Sequence, residues 1–194
     1  MLTLLYNKDP KNKECILTLK VLMNSGCNLY INDIISAEVL NNITKKLFIN
    51  DIKYSALKTE PLNSKSNINL IISCFNKHDR KIIKERKLEK YNRIPFNKYF
   101  YNISKSDWKK DLLKIYYVKA VELHSLLVNS LKLKYLSIDR KTVDLAKQYM
   151  KEYMMSVNDS YHIACAEYNS INYFITLDSD FKALKKSKII ILKI

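Results

Sequence analysis

Three carboxylates stand where neither core packing nor turn chemistry alone would favour them: Glu38, Asp159 and Asp178. On a helix, Glu38 shares the stripe of Ile34, Ile35 and Val39. A carboxylate inside that stripe is costly unless something cationic meets it, whereas at its edge it reaches water. Asp159 opens a segment in which Ile163 and Ala166 follow at i+4 and i+7. A carboxylate there also serves as a plain cap or complements the helix dipole. Asp178 and Asp180 follow the apolar run 171–176, a candidate strand. Open α/β sheets bind ligands past the C-terminal ends of their strands, yet Asp-Ser-Asp also suits an ordinary turn. Taken together, the acids describe a cluster at the ends of an α/β sheet. Oxygen donors suit hard cations, Mg2+ or Mn2+. Such cations activate water and stabilise the leaving oxygen in phosphodiester hydrolysis.

Charge points the same way. The 194 residues carry 34 basic and 19 acidic side chains, a net +15, which favours a polyanionic partner, nucleic acid before membrane. Only four of the basic residues are Arg, and the abundance of Lys, Asn, Ile and Tyr is also what an AT-rich coding sequence gives. Residues 77–132 hold fifteen basic and six acidic residues, so most of the excess lies there. The single glycine, Gly26, excludes a glycine-rich phosphate loop, a dinucleotide fingerprint and a nucleophile elbow. The four cysteines have neither zinc nor redox spacing. With no signal-like N-terminus and no membrane-length apolar run, the reducing cytoplasm is the expected compartment.

The elements that must position the acids read as an α/β domain with a largely parallel sheet. Residues 1–23 read as helical, broken at Asp9-Pro10, with Gly26 as the C-cap glycine. A short strand at 28–31 leads to Asp33, expected to cap a helix carrying Ile34, Val39, Ile43 and Leu47. Ser104 to Asp107 has the spacing of a capping box, predicting a long helix with Trp108, Leu112, Ile115/Tyr116, Leu123 and Leu126/Leu127 inward. A strand at 133–138, a helix capped by Asp139, a helix from Asn158-Asp159 to Asn169 and strands at 171–176 and 189–192 complete the chain.

Three segments resemble the PIN-domain family. Tyr30-Ile31-Asn32-Asp33-Ile34-Ile35-Ser36-Ala37-Glu38 is similar to that family's strand-then-helix ending in Ala-Glu. Val157-Asn158-Asp159-Ser160-Tyr161-His162-Ile163-Ala164-Cys165-Ala166 is similar to its helix opening with a catalytic Asp. Phe174-Ile175-Thr176-Leu177-Asp178-Ser179-Asp180-Phe181 is similar to its strand ending in Thr-x-Asp-x-Asp-Phe. They occur in the family's order, and the resemblance covers about 1–50 and 133–194. It implies a PIN-like three-layer fold with about five parallel strands, and a single domain over 1–194 enlarged by a basic, mainly helical insertion at about 60–130.

The resemblance further implies a Mg2+- or Mn2+-dependent endoribonuclease. Glu38, Asp159 and Asp178 would be the catalytic metal ligands, with Asp180 as an additional ligand. His162 would pack or cap and Thr176 would orient the site through its hydroxyl. Many small bacterial members are VapC-like toxins, so RNA and an antitoxin protein are the expected partners, with a homodimer left open and no membrane. One departure stands out. The family's central first strand, ending in Asp-Thr-Asn, has no match, and Asp9 is a poor substitute. The expectation is a chain that begins at an internal Met; the competing explanation is a degenerate strand at 1–6 in an inactive relative. The rival function is accordingly a catalytically inactive PIN-like domain that binds nucleic acid or protein.

Overall fold

In the computed structural model, which describes residues 10–56, 60–178, 180–184 and 189–193, helix ends follow local chemistry closely. Helix α1 (Asn12–Asn24) closes as a Schellman turn: Cys27 N donates to the Leu22 carbonyl and Gly26 N to that of Met23. Gly26 takes φ 74° there, the left-handed conformation that Cβ-bearing residues avoid. Strand β1 (Tyr30–Asn32) passes directly into α2 (Asp33–Ala56). The cap of α2 is Asn32, not the expected Asp33, because the Asn32 carboxamide already accepts Ile35 N at 2.9 Å. Residues 1–9, including Asp9 and the segment compared with the family's first strand, lie outside the described residues.

The described chain divides into two compact units, one built from Met1–Val39 and Leu127–Ile194 and one from Leu40–Leu126. The first is α/β. Strand β2 (Lys134–Leu136) pairs with β1 in parallel register, Tyr30 opposite Lys134 and Asn32 opposite Leu136. Helices α7 (Arg140–Tyr153) and α8 (Val157–Tyr168) follow, and then β3 (Tyr173–Thr176) pairs in parallel with β4 (Ile190–Lys193). Asp139 caps α7 as expected, accepting Thr142 N at 2.8 Å. Ala146 and Tyr149 of α7 meet Ile163, Ala164 and Ala166 of α8 in a core that also takes in Phe181 and Ile189. The small residues at Ala146, Ala164 and Ala166 let these two helices approach closely.

All described strand pairing is therefore parallel, as the resemblance implies. The strands form two separate pairs rather than one sheet of about five. The strand expected at the centre has no counterpart among the described residues, and among them no strand bridges β1 and β3.

The second unit is helical. Helices α3 (Lys65–Ser73), α4 (Lys77–Lys84), α5 (Phe96–Ser104) and most of α6 (Lys114–Ser130) join the latter part of α2. Their core is aromatic: Phe48 meets Phe100 and Tyr116 edge-on, and Phe75 stacks on Tyr99 with centroids 3.8 Å apart. Buried acids are fully engaged. Asp51 accepts hydrogen bonds from Leu62 N (2.5 Å), Asn63 N (2.9 Å) and the Tyr116 hydroxyl (2.7 Å). Asp79 accepts one from the Tyr99 hydroxyl at 2.6 Å. Burial, and then the neighbouring Asp51 carboxylate, push the Tyr116 hydroxyl's pKa well up, so it stays a donor.

The expected capping box at 104–107 does not form. Ser104 is the last residue of α5 and its hydroxyl donates back to the Tyr101 carbonyl. The next helix opens only at Lys114, after a 3-10 turn at Lys110–Leu113. Trp108, expected inside, is 95% exposed and Leu126 61%, while Tyr116 and Leu127 are buried as expected and Leu113 adds a core position of its own. A serine followed by an acid three residues on satisfies helix-end geometry at either end, and here hydrogen bonding to the preceding turn wins. None of the described helices is long and apolar enough to cross a membrane, and the four cysteines are all free.

Candidate active site

Helix α8 owes its start to Ser156. The serine hydroxyl accepts Asp159 N at 3.2 Å, capping the helix, and donates to Asp159 Oδ2 at 2.6 Å. Asp159 is thus the third residue of the helix and not its cap. Its carboxylate sits where the free N–H groups and the helix dipole favour negative charge.

This first turn meets Glu38, more than a hundred residues earlier in sequence. Asn158 Nδ2 donates to Glu38 Oε1 at 2.5 Å, and His162 Nε2 lies 3.3 Å from Glu38 Oε2. Both oxygens of one carboxylate are therefore held by side chains from successive turns of α8, at i and i+4 on one face. Burial pushes the His162 imidazole below its ordinary pKa. The nearby charges of Glu38 and Asp159 work in the opposite direction without overcoming it. A neutral ring that donates Nε2–H to Glu38 leaves Nδ1 as an acceptor. That atom is buried with no hydrogen-bonding partner among the described residues, in a side chain only 7% exposed.

The other predicted residues occupy the end of β3. Thr176 Oγ1 accepts Asp178 N at 2.9 Å, and Asp178 Oδ1 accepts Asp180 N at 3.0 Å, opening the 3-10 turn Asp180–Ala183. Both acids are exposed. The turn chemistry available to Asp-Ser-Asp is thus in use.

The structure brings His162 against Glu38, and the charge of Asp159 acts on the same imidazole. Among the described residues, it does not bring three acidic, His or Cys side chains within reach of one cation. The donor set has the right chemistry for a hard cation, but the described residues do not assemble a cage for one. What the site does by itself is fix one carboxylate between two neutral donors, with an imidazole nitrogen that has no partner among the described residues. Sequence reasoning missed Asn158 and Ser156. The signal for Ser156 was present in its spacing to Asp159. Nothing local marked Asn158 as a partner of Glu38.

A family model described as PIN domain matches residues 99–187, a little under half of the chain. The match supports membership of the PIN-domain family. It takes in His162, Asp159, Thr176, Asp178 and Asp180 and leaves Glu38 outside. It also begins within the middle segment that the motif resemblance had set aside, and it does not extend to residues 1–50, where the likeness rests on the Ala-Glu motif alone. PIN domains are nucleases in general and use divalent metal ions. No curated protein and no solved structure matches the chain.

Proposed function

We propose that this PIN-domain chain is an endoribonuclease that hydrolyses RNA phosphodiester bonds with Mg2+ or Mn2+. The observation that carries this reading is the meeting of Glu38 with the first turn of α8. A carboxylate clamped by Asn158 and His162, with the charge of Asp159 acting on the same imidazole, puts two acids around one ring, which a purely structural site has no reason to do. Glu38, Asp159 and Asp178 are the proposed catalytic ligands and Asp180 an accessory one. The net charge of +15 supplies the attraction for a polyanion. The toxin of a toxin–antitoxin pair, held in check by an antitoxin protein, is the form of this activity that the resemblance favours.

One observation supports a second reading, a PIN-like domain that binds nucleic acid without cutting it. Asp178 and Asp180 are engaged in their own turn, and no three ligating side chains converge among the described residues. Incubation of a single-stranded RNA with the full chain and Mn2+, beside an EDTA control and Glu38→Gln, separates the two. Cleavage that is lost both with EDTA and in the variant supports the nuclease. RNA retained intact but bound, in every condition, supports the second reading.

A further inference from the structure

The chain's one tryptophan, Trp108, is 95% exposed, between the end of α5 and the turn at Lys110–Leu113. Two more aromatic rings within nine residues of it in sequence are open to solvent, Tyr101 at 59% and Tyr117 at 47%. The backbone joining them is wound in successive tight turns. Lys105 N donates to the Tyr101 carbonyl, Ser106 N to Ile103, and Lys109 N and Lys110 N both to Ser106. The Tyr117 ring lies 6.0 Å from that of Phe100, the residue preceding Tyr101. The three exposed rings all fall within residues 101–117 of the helical unit.

Cations are interleaved with these rings. Lys105 Nζ sits 5.5 Å from the Tyr101 ring centroid. Lys110 pairs with Asp107, while Lys105, Lys109 and Lys114 have no carboxylate partner among the described residues. Exposed aromatics that could anchor a protein partner are usually found where Lys is depleted. Aromatic faces alternating with unpaired ammonium groups are instead the pattern that binds single-stranded nucleic acid, bases stacking on the rings and phosphates meeting the cations.

We propose that Tyr101, Trp108 and Tyr117, with Lys105, Lys109 and Lys114, form a stacking platform for unpaired bases of single-stranded RNA. The choice of RNA rests on the proposed function; the stacking and the charge complementarity rest on this surface alone. The platform gives the chain a means of holding an unpaired strand that is independent of the carboxylates, and it carries little base preference, because every base presents a π face.

Because Trp108 is the single tryptophan, its fluorescence reports this surface alone. The full chain is titrated with 12-nucleotide poly(U) and poly(A) RNA in EDTA. Saturable quenching is expected with both. Trp108→Ala, followed by fluorescence anisotropy of labelled RNA, should bind about fivefold to a hundredfold more weakly, and Trp108→Phe should recover most of the loss. Lys109→Ala should lower the salt dependence by about one phosphate contact. Saturable RNA binding without quenching, or Trp108→Ala binding like the unaltered chain, overturns the platform. So does self-association that Trp108→Ala abolishes while RNA leaves the fluorescence unchanged. Quenching by RNA in a chain that never cleaves it supports the platform and counts only against the nuclease. Cleavage without quenching counts only against the platform.

Discussion

Replacing Asp51 by Ala should be among the most damaging single changes to the helical unit. The carboxylate is 2% exposed and Tyr116 is fully buried. Its three donors are the amides of Leu62 and Asn63 and the Tyr116 hydroxyl. With alanine there, Asn63 N and the hydroxyl lose their acceptor in the interior, while the Leu62 amide, part-buried, regains water more easily. Each orphaned interior donor costs about 1–3 kcal/mol. Removing the anion also removes its own desolvation cost, which offsets part of this. A net loss of about 2–5 kcal/mol follows, a large share of the roughly 5–15 kcal/mol by which domains are stable. Tyr116→Phe leaves the carboxylate its two amide donors and should cost about 1–2 kcal/mol. In the double variant one orphan disappears, so the two costs should overlap by about 0.5–3 kcal/mol. Urea unfolding followed by circular dichroism measures all three. A loss below about 1 kcal/mol for Asp51→Ala, or strict additivity in the cycle, would refute the reasoning.

Three further outcomes follow from local geometry. Met154 ends α7 at φ 53° with its side chain 90% exposed, so Met154→Gly should raise stability by about 1 kcal/mol, read as an increase in Tm, and Met154→Val should lower it. Ser156→Ala removes the cap of α8 and should cost about 1 kcal/mol; since the same hydroxyl holds Asp159, any RNA cleavage should fall more than stability does. Burial lowers the pKa of both His162 and His124, so the unfolded chain binds more protons than the folded one just below the ordinary histidine value. Stability should therefore be fully present above about pH 6.5 and decline as pH falls through the window below it. A stability profile that rises on acidification through that window would contradict the burial of both rings.

Much of the α/β unit was legible because its signals are local. Gly26, Asp139 and the periodicity of α7 and α8 each announce a structure that needs no distant partner. The short strands were placed to within a few residues for the same reason, since apolar runs bounded by polar turns leave little choice. What escaped was non-local or degenerate. Asn32 and Asp33 are both good caps, and only the path of β1 into α2 decides between them. Ser104 looked like a helix start and is a helix end. Trp108 fitted an apolar stripe but faces water, because the helix it was assigned to begins six residues later. The aromatic core of the helical unit depends on contacts such as Phe48 with Tyr116, which no spacing rule reveals. At the site, the types of Glu38, Asp159 and His162 pointed to their chemistry. The hold of Asn158 on Glu38 required the fold.

The central claim is that the carboxylates at the start of α8 act on RNA, and it is tested most directly by comparing Asp159→Asn with the unaltered chain in an RNA cleavage assay with Mn2+. Asparagine keeps the size and the helix-start hydrogen bonding, and circular dichroism confirms the fold. The account predicts cleavage by the unaltered chain, its loss in EDTA, and a drop of at least a hundredfold in the variant, on the order of 3 kcal/mol of barrier. Cleavage at an undiminished rate in Asp159→Asn would contradict it.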